Sequence, residues 1–121
     1  MVEDRITDGK RIAELLSSEL SARENGPLAQ VSIVDADPDA TPSADGTPAY
    51  GIARNGAQIG VVSLFPEYAR VTLTVEAETV VDSAPANGVP ARREDSDAVL
   101  RVESGAADKR AVDLIAVAVG S

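Results

Sequence analysis

The dipeptide Asn55-Gly56 places a β-hairpin in the middle of this chain. It separates two runs rich in apolar residues, 50–54 and 57–64. Asn and Gly both accept a positive φ angle, so they suit the type I′ turn, whose twist matches that of antiparallel strands. A second turn leads into a third run, 69–75, in which apolar and polar residues alternate. We therefore expect a three-stranded antiparallel meander that the rest of the chain covers or extends.

A two-residue turn also predicts how the first two strands pair. Ile52 is expected opposite Ile59 and Tyr50 opposite Val61, with all four side chains on the core face. The other face then carries small and apolar residues, although a sheet face in water usually carries polar ones. Its members are Gly51, Ala53, Gly60, Val62 and Leu64. We expect these five residues to form an interaction surface; the alternative is that a helix covers them.

Helices are expected near both ends of the chain. Apolar residues that follow Ile12 at the i+3, i+4 and i+8 positions predict a helix over 7–24, which an Asn-Gly-Pro sequence would end. A broad apolar face predicts a closing helix over 106–119. The short run 117–119 fits the end of this helix or a strand, because periodicity does not separate the two for so few residues.

The remaining segments read as strands and loops. Runs 28–35 and 97–103 have the alternation of strands. The alternation of the third meander strand continues far enough to predict one long strand over 69–82; the alternative is two strands joined by a kink at 76–78. Segments 35–48 and 83–97 are rich in Pro, Gly and Asp and are expected to be flexible loops. The order of elements predicts one α+β domain over 1–121. It would have two layers: a mainly antiparallel sheet of about five strands, and N-terminal and C-terminal helices.

Acidic residues dominate the charge of the chain. It has 20 Asp and Glu against 11 Lys and Arg, a net charge of −9, and only two lysines among its basic residues. With abundant Ala, Val, Asp and Thr, this composition resembles that of small uncharacterised acidic cytoplasmic proteins of halophilic archaea. The resemblance covers the whole chain, rests on composition alone and implies no site residue. It implies a cytoplasmic location and a medium in which molar KCl screens the self-repulsion.

Several kinds of chemistry have no candidate residues in the sequence. Without His or Cys there is no Cys/His zinc site and no Ser-His-Asp or Cys-His catalytic group, and no glycine-rich nucleotide motif occurs. Asp35, Asp37 and Asp39 begin like a calcium loop, but Ala40 and Gly46 stand where that loop needs Gly and Glu. We therefore predict no catalytic, cofactor-binding or metal-binding residue, and an enzyme is the less favoured reading.

The sequence also narrows the class of partner. Nucleic-acid binding is disfavoured because it needs a basic face, and the doublet Arg92-Arg93 is expected to pair locally with Glu94 and Asp95. No apolar run approaches the roughly 20 residues of a membrane span, and the N-terminus lacks the pattern of a secretory signal. The leading hypothesis is a non-enzymatic small domain acting through protein–protein contact or self-association. The alternative is a small-ligand-binding protein or enzyme with a pocket between the sheet and the two loops.

Overall fold

The structure is a computed structural model that describes residues 8–22 and 26–120. The helices are α1 (Gly9–Ser21), α2 (Ala77–Asn87) and α3 (Asp108–Gly120), and a 3₁₀ helix covers Gly26–Gln30. The strands are β1 (Val31–Val34), β2 (Thr47–Arg54), β3 (Ala57–Leu64), β4 (Ala69–Leu73), β5 (Ala91–Glu94) and β6 (Asp97–Val102).

The strands form one antiparallel sheet in the order β1-β2-β3-β4-β6-β5. The predicted α+β class is confirmed, with six strands in place of about five and a third helix between β4 and β5. The helices at the two ends are also confirmed. Asp8 caps α1 by accepting a hydrogen bond from the backbone N–H of Lys10 at 2.9 Å. The ends of the predicted first helix, residue 7 and residues 23–24, lie outside the described residues.

All three described helices pack on the same face of the sheet. Their buried apolar residues share one core cluster with strand residues such as Ile52, Leu73 and Leu100. Both α1 and α2 contact α3, so the helices form a layer. Ala53, Phe65 and Val99 are buried but lie outside this cluster. The opposite side of the sheet, which these residues help to form, is called the helix-free face below.

A β-bulge makes the predicted pairing of β2 with β3 wrong beyond the first residues of the hairpin. Arg54 pairs with Ala57 as expected, but Ile52 pairs with Gly60, because Ile59 is an extra residue on β3. The backbone C=O of Ile59 accepts a hydrogen bond from the Thr74 N–H at 2.8 Å. Since side chains alternate along a strand, one extra residue moves every following side chain of β3 to the other face.

The predicted long strand over 69–82 is also wrong. Strand β4 ends at Leu73, and Glu76 adopts φ 52°, a left-handed conformation that interrupts an extended backbone. Helix α2 follows and buries Val80 together with two alanines. It ends at Gly88, whose φ of 67° is the usual left-handed C-terminal cap.

Segment 83–97 is consequently not a loop, since it holds the end of α2 and all of β5. A two-residue turn at Asp95, with φ 55°, joins β5 to β6. Segment 35–48 is irregular up to residue 46, and the predicted strand 28–35 begins as a 3₁₀ helix before β1. The closing helix is continuous through 117–119, which removes the strand alternative for that run.

Candidate functional site

One row of side chains crosses all six strands on the helix-free face. In strand order its members are Val34, Gly51, Val61, Thr72, Val99 and Arg92, each paired with the next. Four of the six are valine or threonine at positions that no described helix covers. Val34, Val61 and Thr72 are half-buried, and Val99 is 6% exposed. We call these six residues the open row.

The predicted interaction surface of five residues does not form. Gly60, Val62 and Leu64 lie on the helix-covered face, where Val62 and Leu64 are 0% and 1% exposed. Gly51 and Ala53 do lie on the helix-free face, but both are buried. Side chains of Val34 and Gln58 cover Gly51, since a Cβ at that position would lie 3.0 Å from each of them. The bulge at Ile59 explains why the five residues lie on two different faces. It moves the later side chains of β3 to the face opposite to the predicted one.

A stack of two rings and two guanidinium groups adjoins the open row. The rings of Phe65 and Tyr68 are stacked, with centroids 4.5 Å apart and planes 7° apart. The Cζ of Arg70 lies 4.9 Å from the Phe65 centroid, and that of Arg101 lies 4.0 Å from the Tyr68 centroid. A cation over the face of an aromatic ring is attracted by the quadrupole of the ring. The four residues are called the arginine–aromatic stack below.

The turn between β3 and β4 holds the two rings together. The backbone N–H of Phe65 donates to the C=O of Tyr68 at 3.0 Å, which closes the turn and brings both rings to the same end of the sheet. Gly9, the first residue of α1, packs against this turn and donates its N–H to the C=O of Pro66 at 3.3 Å. A Cβ at Gly9 would lie only 1.9 Å from the Phe65 carbonyl oxygen. Close packing of helix and turn therefore needs glycine at that position.

A pocket of about 190 Å³ opens beside the stack. Its lining consists of three arginines and four apolar or aromatic residues: Arg70, Arg92, Arg101, Tyr68, Val99, Pro90 and Ala91. Among the described residues no carboxylate lines it, although acidic residues outnumber basic ones 20 to 11 in the chain. Anions are the ligands that such a lining attracts. We call this cavity the arginine pocket.

Two of the three arginines have a carboxylate partner outside the lining. Arg92 donates through Nε to Glu94 at 2.9 Å, and Arg101 pairs with Glu103 at 2.6 Å. Arg70 has no carboxylate partner among the described residues, and its Nε is buried without an acceptor. The local pairing predicted for Arg92 is confirmed.

Sequence reasoning did not find the arginine pocket. Arg70, Arg92 and Arg101 come from three strands, and only the non-sequential pairing of β4 with β6 brings Arg70 opposite Arg101. The one available signal was the alternation of the third meander strand, which already placed Arg70 away from the core residues Val71 and Leu73. That signal indicated which face of the sheet carries Arg70, but it did not indicate which residues lie beside it.

A second cavity, of about 220 Å³, lies between α1, the start of β2 and residues 36–38. Lys10 crosses it and donates from Nζ to the C=O of Pro38 at 3.1 Å. The hydroxyl of Tyr50 donates to the C=O of Ala13 at 2.7 Å. These bonds tie the irregular segment and the sheet to α1. We call this cavity the α1 pocket.

Two buried groups on the helix-covered side have strongly perturbed acidity. Burial, together with the charge of Glu19, raises the pKa of Asp108 from 3.8 to about 7. Asp108 is 2% exposed, and neither carboxyl oxygen has a hydrogen-bond partner among the described residues. Burial is also the main reason why the pKa of Tyr50 is raised far above its ordinary value, and the charge of Asp108 adds to the increase.

In the acidic segment after β1, one carboxylate forms a hydrogen bond within the segment. Asp37 accepts a hydrogen bond from the N–H of Asp39 at 3.0 Å, which forms a turn. Within 8–22 and 26–120, no three acidic side chains converge as metal ligands would. In the same part of the chain, no helix has the length and apolarity that crossing a membrane requires.

Over residues 8–22 and 26–120, a six-stranded antiparallel sheet with three helices on one side defines a two-layer α+β protein. The whole chain, residues 1–121, matches the family model DUF7993, described as a family of unknown function, and the chain belongs to that family. No curated protein and no solved structure matches the chain. Fold alone does not determine function, so the residues of the site have to support it.

Proposed function

We propose that this protein is a non-enzymatic interaction domain that binds another protein through the helix-free face of its sheet. The observation that supports this most is the open row, which runs across six strands on a face that no described helix covers. Antiparallel sheets with one face in water usually carry polar residues there. Apolar patches beside polar ones are typical of binding surfaces.

The distribution of polar groups favours binding over catalysis. Tyr50 and Asp108, the two residues with raised pKa values, both lie on the helix-covered side. Tyr50 is engaged with the backbone of α1. On the helix-free face, the arginine–aromatic stack supplies flat, orientated groups, and Arg and Tyr are among the residues most enriched where proteins bind one another.

A different protein is a better partner than a second copy of this chain. A two-fold interface between two copies uses the same patch of each, so it would bring the three arginines of one pocket into one interface with those of the other. Each copy also carries a net charge of −9, which opposes self-association except at high salt. Self-association is therefore the second possibility for this face.

A pair of matched variants tests the proposal. Val61→Glu places a charge in the centre of the open row, at a half-buried position where the new side chain still reaches water. Thr79→Glu makes a similar change on the exposed side of α2 and serves as the control. Each protein is immobilised and used to capture proteins from an extract of the source organism at high salt. Light scattering of the purified proteins measures self-association.

The proposal predicts a protein that binds the wild type and Thr79→Glu but not Val61→Glu, and that rebinds in purified form with the same pattern. A dimer lost only in Val61→Glu would indicate that the partner is a second copy. Identical capture by all three proteins, or monomers that capture nothing, would contradict the proposal. Circular dichroism and thermal melting establish that both variants are folded.

A small-ligand-binding role is the second candidate, and the α1 pocket favours it. The sequence predicts a pocket between the sheet and the two segments 35–48 and 83–97. The α1 pocket adjoins the first of these segments but not the second, and its lining is more apolar than polar. Ser17→Phe would fill it, and Ser18→Phe, exposed on the same helix, is the control. A metabolite that raises the melting temperature of the wild type and of Ser18→Phe, but not of Ser17→Phe, would establish this role.

A further inference from the structure

We propose that the arginine pocket binds a carboxylate group. The carboxylate belongs to an Asp or Glu side chain of the partner protein or to a free organic acid; the chemistry is the same in both cases. This inference rests on the proposed function, because it names the chemical group that the helix-free face recognises. Its support comes from charge, geometry and the walls of the pocket.

The charges at the pocket leave one arginine without a partner. Glu94 and Glu103 each pair with one arginine of the lining, and Arg70 pairs with no carboxylate among the described residues. Its Nε is buried and donates to no acceptor, which is a costly state for a charged donor. A single negative charge at this point would complete three ion pairs.

The aromatic rings hold the guanidinium groups ready for a planar anion. Arg70 and Arg101 lie over the rings of Phe65 and Tyr68, so stacking restricts the orientation of both. Gly46 leaves room for this arrangement, since a Cβ at that position would lie 3.4 Å from Nη2 of Arg70. An orientated guanidinium loses little freedom when it forms the paired N–H···O bonds that a carboxylate accepts.

The size and walls of the pocket favour a carboxylate over phosphate. A cavity of about 190 Å³ with Val99, Pro90 and the Tyr68 ring in its lining suits a small anion attached to an apolar body. The neighbouring carboxylates of Glu94 and Glu103 would repel the second charge of a phosphate dianion. A monovalent carboxylate can pair with Arg70 and meets about half of the repulsion that a dianion meets.

NMR titration tests the inference directly on the isolated chain. The probes are sodium acetate, sodium benzoate and the blocked peptide Ala-Glu-Ala, with Ala-Gln-Ala and sodium phosphate for comparison, all at constant ionic strength in KCl. The variant is Arg70→Gln, and Arg54→Gln is the control because Arg54 is an exposed arginine outside the pocket. The readout is the arginine Nε–H signals and the backbone amide of Val99.

We expect saturable shifts of the Arg70 signal with a carboxylate probe, binding at least about tenfold weaker in Arg70→Gln, and no change in Arg54→Gln. Binding of the Glu peptide but not the Gln peptide points to a protein side chain, and binding of benzoate alone points to a free acid. Shifts that do not saturate, stronger binding of phosphate, or equal weakening in both variants would overturn the inference.

The outcome is separable from that of the proposed function. Partner capture that is lost in Val61→Glu but unaffected by Arg70→Gln would overturn the carboxylate site and leave the interaction face in place. Carboxylate binding without any partner that depends on Val61 would support the site and contradict the proposed function. Thermal melts of Arg70→Gln establish that its effects do not come from unfolding.

Discussion

Arg70 on β4 and Arg101 on β6 occupy directly opposed positions in an antiparallel strand pair. Like charges at such positions normally destabilise a sheet. Here each guanidinium lies over a different ring of the stacked pair Phe65 and Tyr68. Because a guanidinium does not fit between rings 4.5 Å apart, the two cations lie on the outer sides of the stack. The rings therefore separate two charges that the strand pairing brings together.

The arginine–aromatic stack should contribute measurably to stability. Tyr68→Leu removes a stacked ring pair and a cation–π contact, so we expect a loss of about 2 kcal/mol in the free energy of unfolding. Tyr68→Phe keeps both interactions and should stay within about 0.5 kcal/mol of the wild type. Urea denaturation of the three proteins at one salt concentration makes the comparison. Equal stability of the Leu and Phe variants would contradict a stabilising role for the stack.

Gly9 should tolerate no side chain, because α1 begins against the turn that carries the rings. In Gly9→Ala the new Cβ would lie 1.9 Å and 2.4 Å from the backbone oxygens of Phe65 and Tyr68, which cannot move without opening the turn. We expect a destabilisation of about 2–3 kcal/mol, in spite of the higher helix propensity of Ala. In Gly51→Ala the three atoms nearest to the new Cβ belong to the side chains of Val34 and Gln58, which can move, so the loss should be under about 1 kcal/mol.

Chemical denaturation of both glycine variants provides the measurement. An equal loss in the free energy of unfolding for Gly9→Ala and Gly51→Ala would mean that the contact between α1 and the turn can relax. NMR shifts in Gly9→Ala should also extend to the Tyr68 ring, since the turn positions it, whereas those in Gly51→Ala should remain near the open row.

The sequence predicted those elements whose signals are local. The periodicity of α1 and the turn at Asn55-Gly56 both depend on residues close in the chain, and the structure confirms them. The bulge at Ile59 had no such signal, because its carbonyl is satisfied by Thr74 in the turn after β4. Consequently the side chains of β3 beyond the bulge were assigned to the wrong faces of the sheet. The predicted interaction surface depended on that assignment and was therefore wrong.

The misreading of α2 has a different cause. Val75, Ala77, Thr79 and Val81 continue the alternation of β4, while Ala77, Val80 and Ala84 have the spacing of a helix face, so both patterns are present. The continued alternation favoured a strand over 69–82, and Pro85 favoured a loop after it. The interruption at Glu76 depends on a left-handed conformation that Glu rarely adopts, and composition does not reveal it. Missing α2 also hid β5, and with it one side of the arginine pocket.

The resemblance to halophilic proteins leads to a prediction about salt. With a net charge of −9, the folded chain repels itself at low ionic strength, and about 1 M salt shortens the screening length from about 10 Å to about 3 Å. We expect the melting temperature to rise steadily as KCl increases from 0.1 M to 2 M at pH 7.5. The rise should shrink near pH 4, where many carboxylates are protonated. A melting temperature that is independent of KCl at pH 7.5 would contradict adaptation to high salt.

Asp108 should make the protein less stable as the pH rises. Its pKa is about 7 in the folded protein and 3.8 ordinarily, so the folded state holds a proton that the unfolded state releases between these values. The stabilisation is complete below about pH 3.8, declines as the pH rises, and is lost above about pH 7. Glu19 on α1 and Tyr50 on β2 both interact electrostatically with Asp108 at the start of α3.

Replacing this carboxyl by a neutral amide isolates its effect from that of the other acidic residues. Asp108→Asn should match the wild type near pH 4 and exceed it by at least about 2 kcal/mol at pH 8, since each unit of pKa shift corresponds to about 1.4 kcal/mol. Asp113→Asn, at an exposed position on the same helix, should show no such growth with pH. Urea denaturation of the three proteins at five pH values provides the curves. A constant difference between Asp108→Asn and wild type across this range would mean that Asp108 is ionised in the folded protein throughout.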